Sequence, residues 1–563
     1  MIPALLHPAL VEAAAALDPT VVVEYVVPTG NPEHGDYQWN IAFRMTKALK
    51  EKPLVLAEKL VGHIRHPGIV SAEVAGAGFI NLRLSDSWLA ELLKSQVASP
   101  TLGVEQVEPG QTVIIDFSSP NVAKRMHVGH MRSTHLGDAL AKMMRAAGWT
   151  VIGDNHIGDW GTPFGKLLVA WRLWKDDNAF AEDPIGELER LYVKFGEVAD
   201  EGMKEAARTE TAKLQNGDPE NTALWRLFLD VSMKEFEAVY RRMGVSFDVV
   251  LGESTYHPLI PATLNRLEGM GAAEVSDGAL ISQFAKKGRD QKDTLILRKK
   301  DGAYTYGATD IACALYREER WHPNRVIYVT DVRQQGHFQQ LFELARRLEV
   351  KTDLTHIWFG MLVLPEGSVA MSTRSGNTIR LVDLLDEAVR RAREVVEEKS
   401  PHLPEEEKAR IAEAVGVGAV RYVDLSQNPQ TDVTFEWDRI LSLEGNTAPY
   451  LIYGHARCAG VLRKANAPLD FTKIVIEHPL ERELALALLR VPEAFSEAIR
   501  LSKPNVLADR LYKLVERLNG FYHHLPVLKD GEVNESRLAL VEATRRVLSH
   551  GLTALGLVPL KRM

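Results

Sequence analysis

Residues 114–148, IIDFSSPNVAKRMHVGHMRSTHLGDALAKMMRAAG, decide how the rest of the chain is read. An apolar run, Val113-Ile114-Ile115, ends in a polar turn, Ser118-Ser119-Pro120-Asn121. Met131, Leu136, Leu140, Met143, Met144 and Ala147 then recur at helical intervals, and Gly148 supplies a stop. His127-Val128-Gly129-His130 therefore sits where a strand hands over to a helix. Histidines three apart on a helix share a face. The free N–H groups and positive dipole end of that helix favour phosphate. Gly129 lets a base or ribose approach the backbone without meeting a Cβ. The stretch predicts a nucleotide cradle in which His127 and His130 donate to phosphates, with Lys124 just upstream. H-x-G-H also occurs by chance, and either histidine could then be structural.

The totals set bounds. A chain of 563 residues exceeds one hydrophobic core, and roughly three to four domains are expected. Sixty-seven basic and seventy-five acidic residues give a net charge of −8, so a nucleic-acid partner would need local positive patches. Cys313 and Cys458 are the two cysteines, which excludes a disulfide framework and a cysteine-rich zinc site and fits a reducing compartment, the cytoplasm. The start, MIPALLHPALVEAAAAL, has no basic n-region and reads as an amphipathic helix rather than a signal peptide. No uncharged apolar run approaches the ~20 residues of a membrane span.

Three units follow in order. Residues 1 to about 105 mix helices with strands, Val21–Val27 and AGAGFINLRL among them, and predict a small α+β domain. Residues 106–385 alternate strands (VIIDF, TVIGDNHI, TLILR, RVIYVT, HIWFGMLVL) with helices, the α/β signature of a Rossmann-like parallel sheet. A helical insertion, about 164–243, interrupts it. Residues 386–563 are helix-periodic almost throughout and predict an all-α bundle. No P-loop signature is present.

Several segments carry candidate chemistry. NHIGDWGTPFG, Asn155 to Gly165, is a glycine-marked loop after the second strand. Tyr306 and Asp310, four apart at a helix start, share a face if the helix begins before Tyr306, and Glu253 is a second acid. Two carboxylates and a tyrosine suit a guanidinium through paired N–H bonds, although each could equally be a cap or an exposed acid. DVRQQGHFQQLF, Asp331 to Phe342, follows a strand where ligands of open α/β sheets collect, and Gln334 could read a polar group. MSTRSGNTIRL, with Met371, Ser372 and Arg374, could fold over a triphosphate or be an ordinary turn. Phe79 and Asn81 lie on one strand face and could stack on and bond an unpaired base; a core phenylalanine beside an edge polar residue reads equally well. FEWDRILSLEGNTAPYLIYGHAR offers Trp437, Arg439 and Tyr450 for stacking on bases, or simply a helix–loop–helix packed by its aromatics.

H-x-G-H after a strand, with an M-S-x-R-type loop about 240 residues later, resembles the class I aminoacyl-tRNA synthetases. The finer resemblance is to the arginyl-tRNA synthetase family. SSPNVAKRMHVGHMRS, NHIGDWGTPFG, the Tyr306/Asp310 segment, VTDVRQQGHFQQLF and EWDRILSLEGNTAPYL carry it, and NPEHGDYQWNIAF is similar to that family's N-terminal domain. The resemblance implies arginine activation by ATP to arginyl-adenylate, then transfer to the 3′-terminal adenosine of tRNA(Arg), with the first step typically requiring tRNA. It places Ser119, Asn121, His130, Glu253, Tyr306, Asp310 and Gln334 at arginine, and His127, Gly129, His130, Met371 and Ser372 at ATP. It places Phe79, Asn81, Trp437, Arg439 and Tyr450 at tRNA. Magnesium arrives with ATP; no zinc, no membrane and a monomer are expected. In the family's wider class the mobile loop reads K-M-S-K-S, whereas Ala370 and Thr373 stand at the lysine places here. Lys124 and Arg374 are expected to supply the missing charge. The competing readings are an H-x-G-H nucleotidyltransferase acting on a small molecule and an inactive tRNA-binding relative. The long helical unit argues against the first, and intact His127, His130, Tyr306 and Asp310 argue against the second.

Overall fold

The computed structural model describes residues 2–285, 292–363 and 379–563. Its centre is a five-stranded parallel sheet in the order Asp353–Phe359, Arg325–Asp331, Thr112–Asp116, Thr150–Asn155 and Val249–Val250. Val113 stands between Arg325 on one side and Val151 on the other. Val113, Ile114, Ile115 and Ile327 are fully buried. Strands covered on both faces read as unbroken apolar runs, which is why VII and its neighbours were legible. The chain builds the sheet outward from Thr112–Asp116 in one direction, then returns to add Arg325–Asp331 and Asp353–Phe359 on the opposite side. The order reverses between the first and fourth strands, and the loops leaving their C-terminal ends diverge there. Open α/β sheets bind ligands in that crevice.

The helical insertion consists of five helices from Thr162–Trp174 to Pro219–Met243. They close around their own core of Leu167, Leu168, Leu188, Leu191, Phe195 and Phe228. The expected strand TLILR forms, but not in the parallel sheet. It lies in Lys292–Arg298, the edge of an antiparallel sheet with Ala279–Ala285 and Glu274–Ser276. Asp277 and Gly278, both at positive φ, close the hairpin that starts this sheet. A two-residue turn pairs neighbours locally, whereas joining a parallel sheet requires a crossover.

The N-terminal unit has a four-stranded antiparallel sheet, Val27–Pro28, Tyr37–Trp39, Phe79–Leu84 and Ile69–Ala75, with helices Ile2–Ala15, Ile41–Leu49 and Pro53–His63. The strand expected at Val21–Val27 is almost absent: only Val27 and Pro28 pair, with Gln38 and Tyr37. Val22 is 76% exposed. β-branched residues favour extended backbone, but no partner strand lies alongside to complete a ladder. The NPEHGDYQWN turn instead docks the unit onto the C-terminal helices. Arg482 donates to both Asp36 oxygens at 2.8 and 2.7 Å, and Arg490 donates to the Asp36 carbonyl. From Leu381–Lys399 to Glu535–Ala554 the chain is a helical bundle with three very short strand pieces. Among the described residues no helix is long and apolar enough to cross a membrane.

Candidate active site

The loop leaving the first strand is strained and held from several sides. Ser118, Ser119 and Ala123 all have positive φ, an uncommon conformation for residues with a Cβ. Such backbone persists only where its surroundings over-determine it. Ser118 N–H donates to Ser133 Oγ at 2.9 Å, and Ser118 Oγ pairs with Tyr240 Oη at 2.7 Å. Ser119 N–H donates to Asn155 Oδ1, and Ala123 N–H donates to Ser232 Oγ. Ser119 Oγ donates to Asp116 Oδ1 at 3.1 Å; the other Asp116 oxygen accepts from buried Arg317, which also holds Asp154 at 2.7 Å. Asn121 bridges to Gly158 in the glycine-marked loop after the second strand. A Cβ on Gly158 would lie 2.2 Å from Asn121 Oδ1, so that glycine is what lets the two loops touch.

The two histidines are coupled differently from a shared helix face. Helix Val128–Ala146 begins after His127, which is its N-cap and lies outside it. The His127 ring accepts from Gly129 N–H at 3.0 Å, and His130 Nδ1 accepts from His127 N–H at 3.2 Å. This is a reciprocal cap built from two imidazoles, with ring centroids 4.1 Å apart. Each Nδ1 is an acceptor, so each neutral ring carries its proton on Nε2 and offers one N–H outward. Burial pushes His130 down to about 4, helped by His127 and Lys124. Burial, then Lys124, lowers His127 as well. Both are therefore neutral donors at pH 7. A Cβ on Gly129 would stand 2.7 Å from His127 Cε1. The glycine is thus required by the cap itself, before any nucleotide is considered.

Around this loop lies a cleft of about 1070 Å³ lined by Asn121, Lys124, Glu253 and Tyr306, among others. Lys124 lines the cleft, its charge acts on both histidines, and its ammonium sits 4.5 Å above the Tyr192 ring. Helix Tyr306–Trp321 starts at Tyr306, so Tyr306 and Asp310 do lie one turn apart on one face. Asp310 accepts from His337 Nε2 at 2.6 Å, and the His337 ring meets Tyr306 edge-on at 4.8 Å. Glu253 is pushed up to about 7, by burial first and then by the Asp310 and Asp159 carboxylates, against the pull of His156. Burial also raises Asp159, which accepts from Ser254 N–H and Oγ at 2.9 and 2.6 Å. Asp310 and Asp159 thus lie close enough to act on the charge of Glu253, and of these three acids Glu253 lines the cleft.

Gln334 is exposed in the turn before helix Gln335–Arg347 and does not line the cleft. Met371, Ser372 and Arg374 lie outside the described residues. The chain next to them is anchored on the histidine loop, since Val128 N–H donates to the Ile379 carbonyl and His127 bridges to Arg380. Phe79 and Asn81 share a face of the N-terminal sheet; Phe79 is half-buried against Phe43, whereas Asn81 is buried and accepts from Gln38. Trp437 packs on Phe435 beneath Arg391, exposed Arg439 borders a small cleft with Asn446, and Tyr450 accepts from Asn519. Sequence reasoning missed His337, although the quoted DVRQQGHFQQLF contains it. It also missed Arg132, inside the opening stretch: its fully buried guanidinium donates to Asp424 at 2.8 Å and to the Gly360 and Thr431 carbonyls. No periodicity marks such a residue, because a charge on an apolar helix face is a break in the pattern.

A strand-reversal crevice, a capped helix start and a C-terminal helical bundle accompany a match to the class I aminoacyl-tRNA synthetases. Residues 92–437 match the family model "tRNA synthetases class I (R), catalytic domain", residues 451–563 the "DALR anticodon binding domain", and residues 4–84 the "Arginyl tRNA synthetase N terminal domain". The chain belongs to the arginyl-tRNA synthetase family. It is 44% identical over 552 residues to the arginine–tRNA ligase of Fusobacterium nucleatum, covering 96% of this chain and 95% of that one. It is 41% identical to that of Citrobacter koseri, covering 94% of each. The arginyl-tRNA synthetase of Plasmodium falciparum superimposes with a TM-score of 0.86 at 26% identity, covering 100% of this chain and 99% of that one. That of Thermus thermophilus superimposes at 0.81 and 27%, covering 100% of both.

Proposed function

We propose that this chain activates L-arginine with ATP and transfers it to the 3′-terminal adenosine of tRNA(Arg), with the steps divided along the cleft. The observation that supports the reading is a cleft lined together by Asn121, Lys124, Glu253 and Tyr306, with Asp310 one helical turn from Tyr306 and the charge of Lys124 acting on the paired imidazoles. Asp310, Tyr306 and Glu253 take the guanidinium, since a planar cation with paired N–H groups matches carboxylates where an ammonium does not. Ser119 and Asn121, on the strained loop, orient the amino and carboxylate end. Gln334, exposed and outside the cleft lining, is assigned to the same end by the family resemblance alone. His127 and His130 donate from Nε2 to the phosphates, with Met371 and Ser372 beside them.

Attack of the arginine carboxylate on the α-phosphorus is an in-line displacement. It needs positioning and charge stabilisation rather than an acid–base triad. Lys124 and Arg374 neutralise charge on the departing pyrophosphate. Magnesium enters with ATP's phosphates. Among the described residues no group of three or more His, Cys, Asp or Glu side chains is placed to hold a metal.

In this reading the N-terminal unit to about residue 105 meets tRNA through Phe79 and Asn81. The unit from about 386 reads the anticodon through Trp437, Arg439 and Tyr450. The enzyme works as a cytoplasmic monomer; both cysteines are free and buried, as a reducing compartment allows. The test is ATP–pyrophosphate exchange. Exchange that needs arginine and is stimulated by tRNA is expected; exchange indifferent to arginine would overturn the reading.

A further inference from the structure

We propose that His337 is a specificity-positioning residue for arginine, acting through Asp310. The inference rests on the arginine-pocket reading above and assigns its geometry to a residue outside it. The imidazole reaches Asp310 from a different element: Asp310 sits in the opening turns of helix Tyr306–Trp321, His337 in the first turn of helix Gln335–Arg347. Nε2 lies 2.6 Å from Asp310 Oδ2. The rest of the ring is confined. Tyr306 meets it edge-on at 4.8 Å, Phe338 flanks it at 5.5 Å, and 13% of the side chain is exposed. Its Nδ1 is buried with no hydrogen-bond partner among the described residues. The ring's one polar engagement is therefore the Asp310 carboxylate.

That engagement does something a free aspartate cannot. A carboxylate rotates easily about its terminal torsion, which is broad and roughly two-fold. Paired binding of a guanidinium requires the carboxylate plane to be coplanar with it. His337 donates to Oδ2 and so fixes the plane, leaving Oδ1 and the outer lone pair of Oδ2 for a ligand. Tyr306, 65% exposed and resting on the same imidazole, is set in position by the same contact. An ammonium is a point charge and gains nothing from a fixed plane. Pinning Asp310 thus favours arginine over lysine beyond what charge supplies.

The experiment compares His337→Ala and His337→Gln in the full-length enzyme, and combines His337→Ala with Asp310→Asn. A glutamine amide can place an N–H near the Nε2 position. His337→Ala should raise the KM for arginine about tenfold, the worth of one charge-assisted hydrogen bond. The KM values for ATP and tRNA, kcat and the thermal midpoint should stay close to wild type. His337→Gln should recover part of the loss. With Asp310→Asn already present, His337→Ala should add little, because its partner is already altered. An unchanged arginine KM overturns the inference, as does a loss in kcat alone or a loss of equal size in both backgrounds. If the alanine variant does not fold, His337→Gln against Asp310→Asn/His337→Gln decides by the same criterion. Arginine-independent exchange in the wild-type enzyme would instead overturn the underlying reading, so the two failures are distinct.

Discussion

At the proposed phosphate end His127 and His130 are kept neutral; at the proposed cation end Glu253 is held near half-protonation at neutral pH while Asp310 is gripped by His337. The same physical term acts at both ends, because burial penalises whichever form is charged. Its consequences differ. Neutral imidazoles locked as Nε2–H donors lose nothing by remaining uncharged, since a hydrogen bond to phosphate needs a dipole. An acid meant for a cation does lose by it, and must be drawn into ionisation by the ligand itself. In the proposed division of the site the phosphate end is therefore ready before substrate arrives, whereas the acid end is completed by it.

The largest expected effect tests the ready end. His130→Ala removes both a donor and half of the cap, and should lower arginine-dependent pyrophosphate exchange by about two to three orders of magnitude. If kcat survives and the arginine KM rises instead, the division of labour is wrong. Lys124→Ala comes next. Loss of a cation beside both ends should cost about two orders of magnitude in exchange rate, or roughly 3 kcal/mol. Near-normal exchange would leave the missing loop lysines without a replacement.

The comparison then makes a prediction in pH. The arginine KM should fall as pH rises across the Glu253 value of about 7, while the ATP KM stays flat, because His130 has already lost its proton by about pH 4. Steady-state kinetics from pH 6 to 8 would show both trends; an ATP KM that moves in parallel would show the ends are not independent. Glu253→Gln should remove the pH dependence of the arginine KM. It should also stabilise the unliganded fold. The folded value is raised from 4.5 to about 7, so the charged form is penalised on folding; the penalty is absent below 4.5 and complete above 7. A glutamine lifts it, and the thermal midpoint should rise at pH 8 but barely change near pH 4.5. The smallest effect is expected far from the cleft: Phe79→Ala, on a half-buried ring, should raise the tRNA KM a few-fold and leave exchange kinetics with arginine and ATP alone.

How much of this was legible varies with the kind of signal. The strand–turn–helix at 112–146 was readable because a doubly covered parallel strand must be apolar throughout and a helix must repeat at 3.6. The one-turn spacing of Tyr306 and Asp310 followed from the helix start. Val21–Val26 misled, because an extended preference says nothing about whether a partner strand is present. TLILR was read as a strand of the parallel sheet but pairs in an antiparallel one, since strand propensity does not encode which neighbour a strand pairs with. The histidine cap was half visible: two imidazoles at a helix start were read as a pair on the helix, whereas His127 ends outside it and binds through the backbone.

By itself the sequence determined the existence of a parallel α/β core, a helical C-terminal unit, the H-x-G-H helix start and the one-turn spacing of Tyr306 and Asp310. Those are properties of local composition and period, set by residues within a few positions of one another. Only the tertiary structure decided that His337 pins Asp310, that Arg132 ties the histidine helix to Asp424, and that burial, then Asp310 and Asp159, raise Glu253. Each joins side chains that are distant in the chain. Hydrogen bonds and desolvation depend on distance in space, and that distance exists only once the layers have packed.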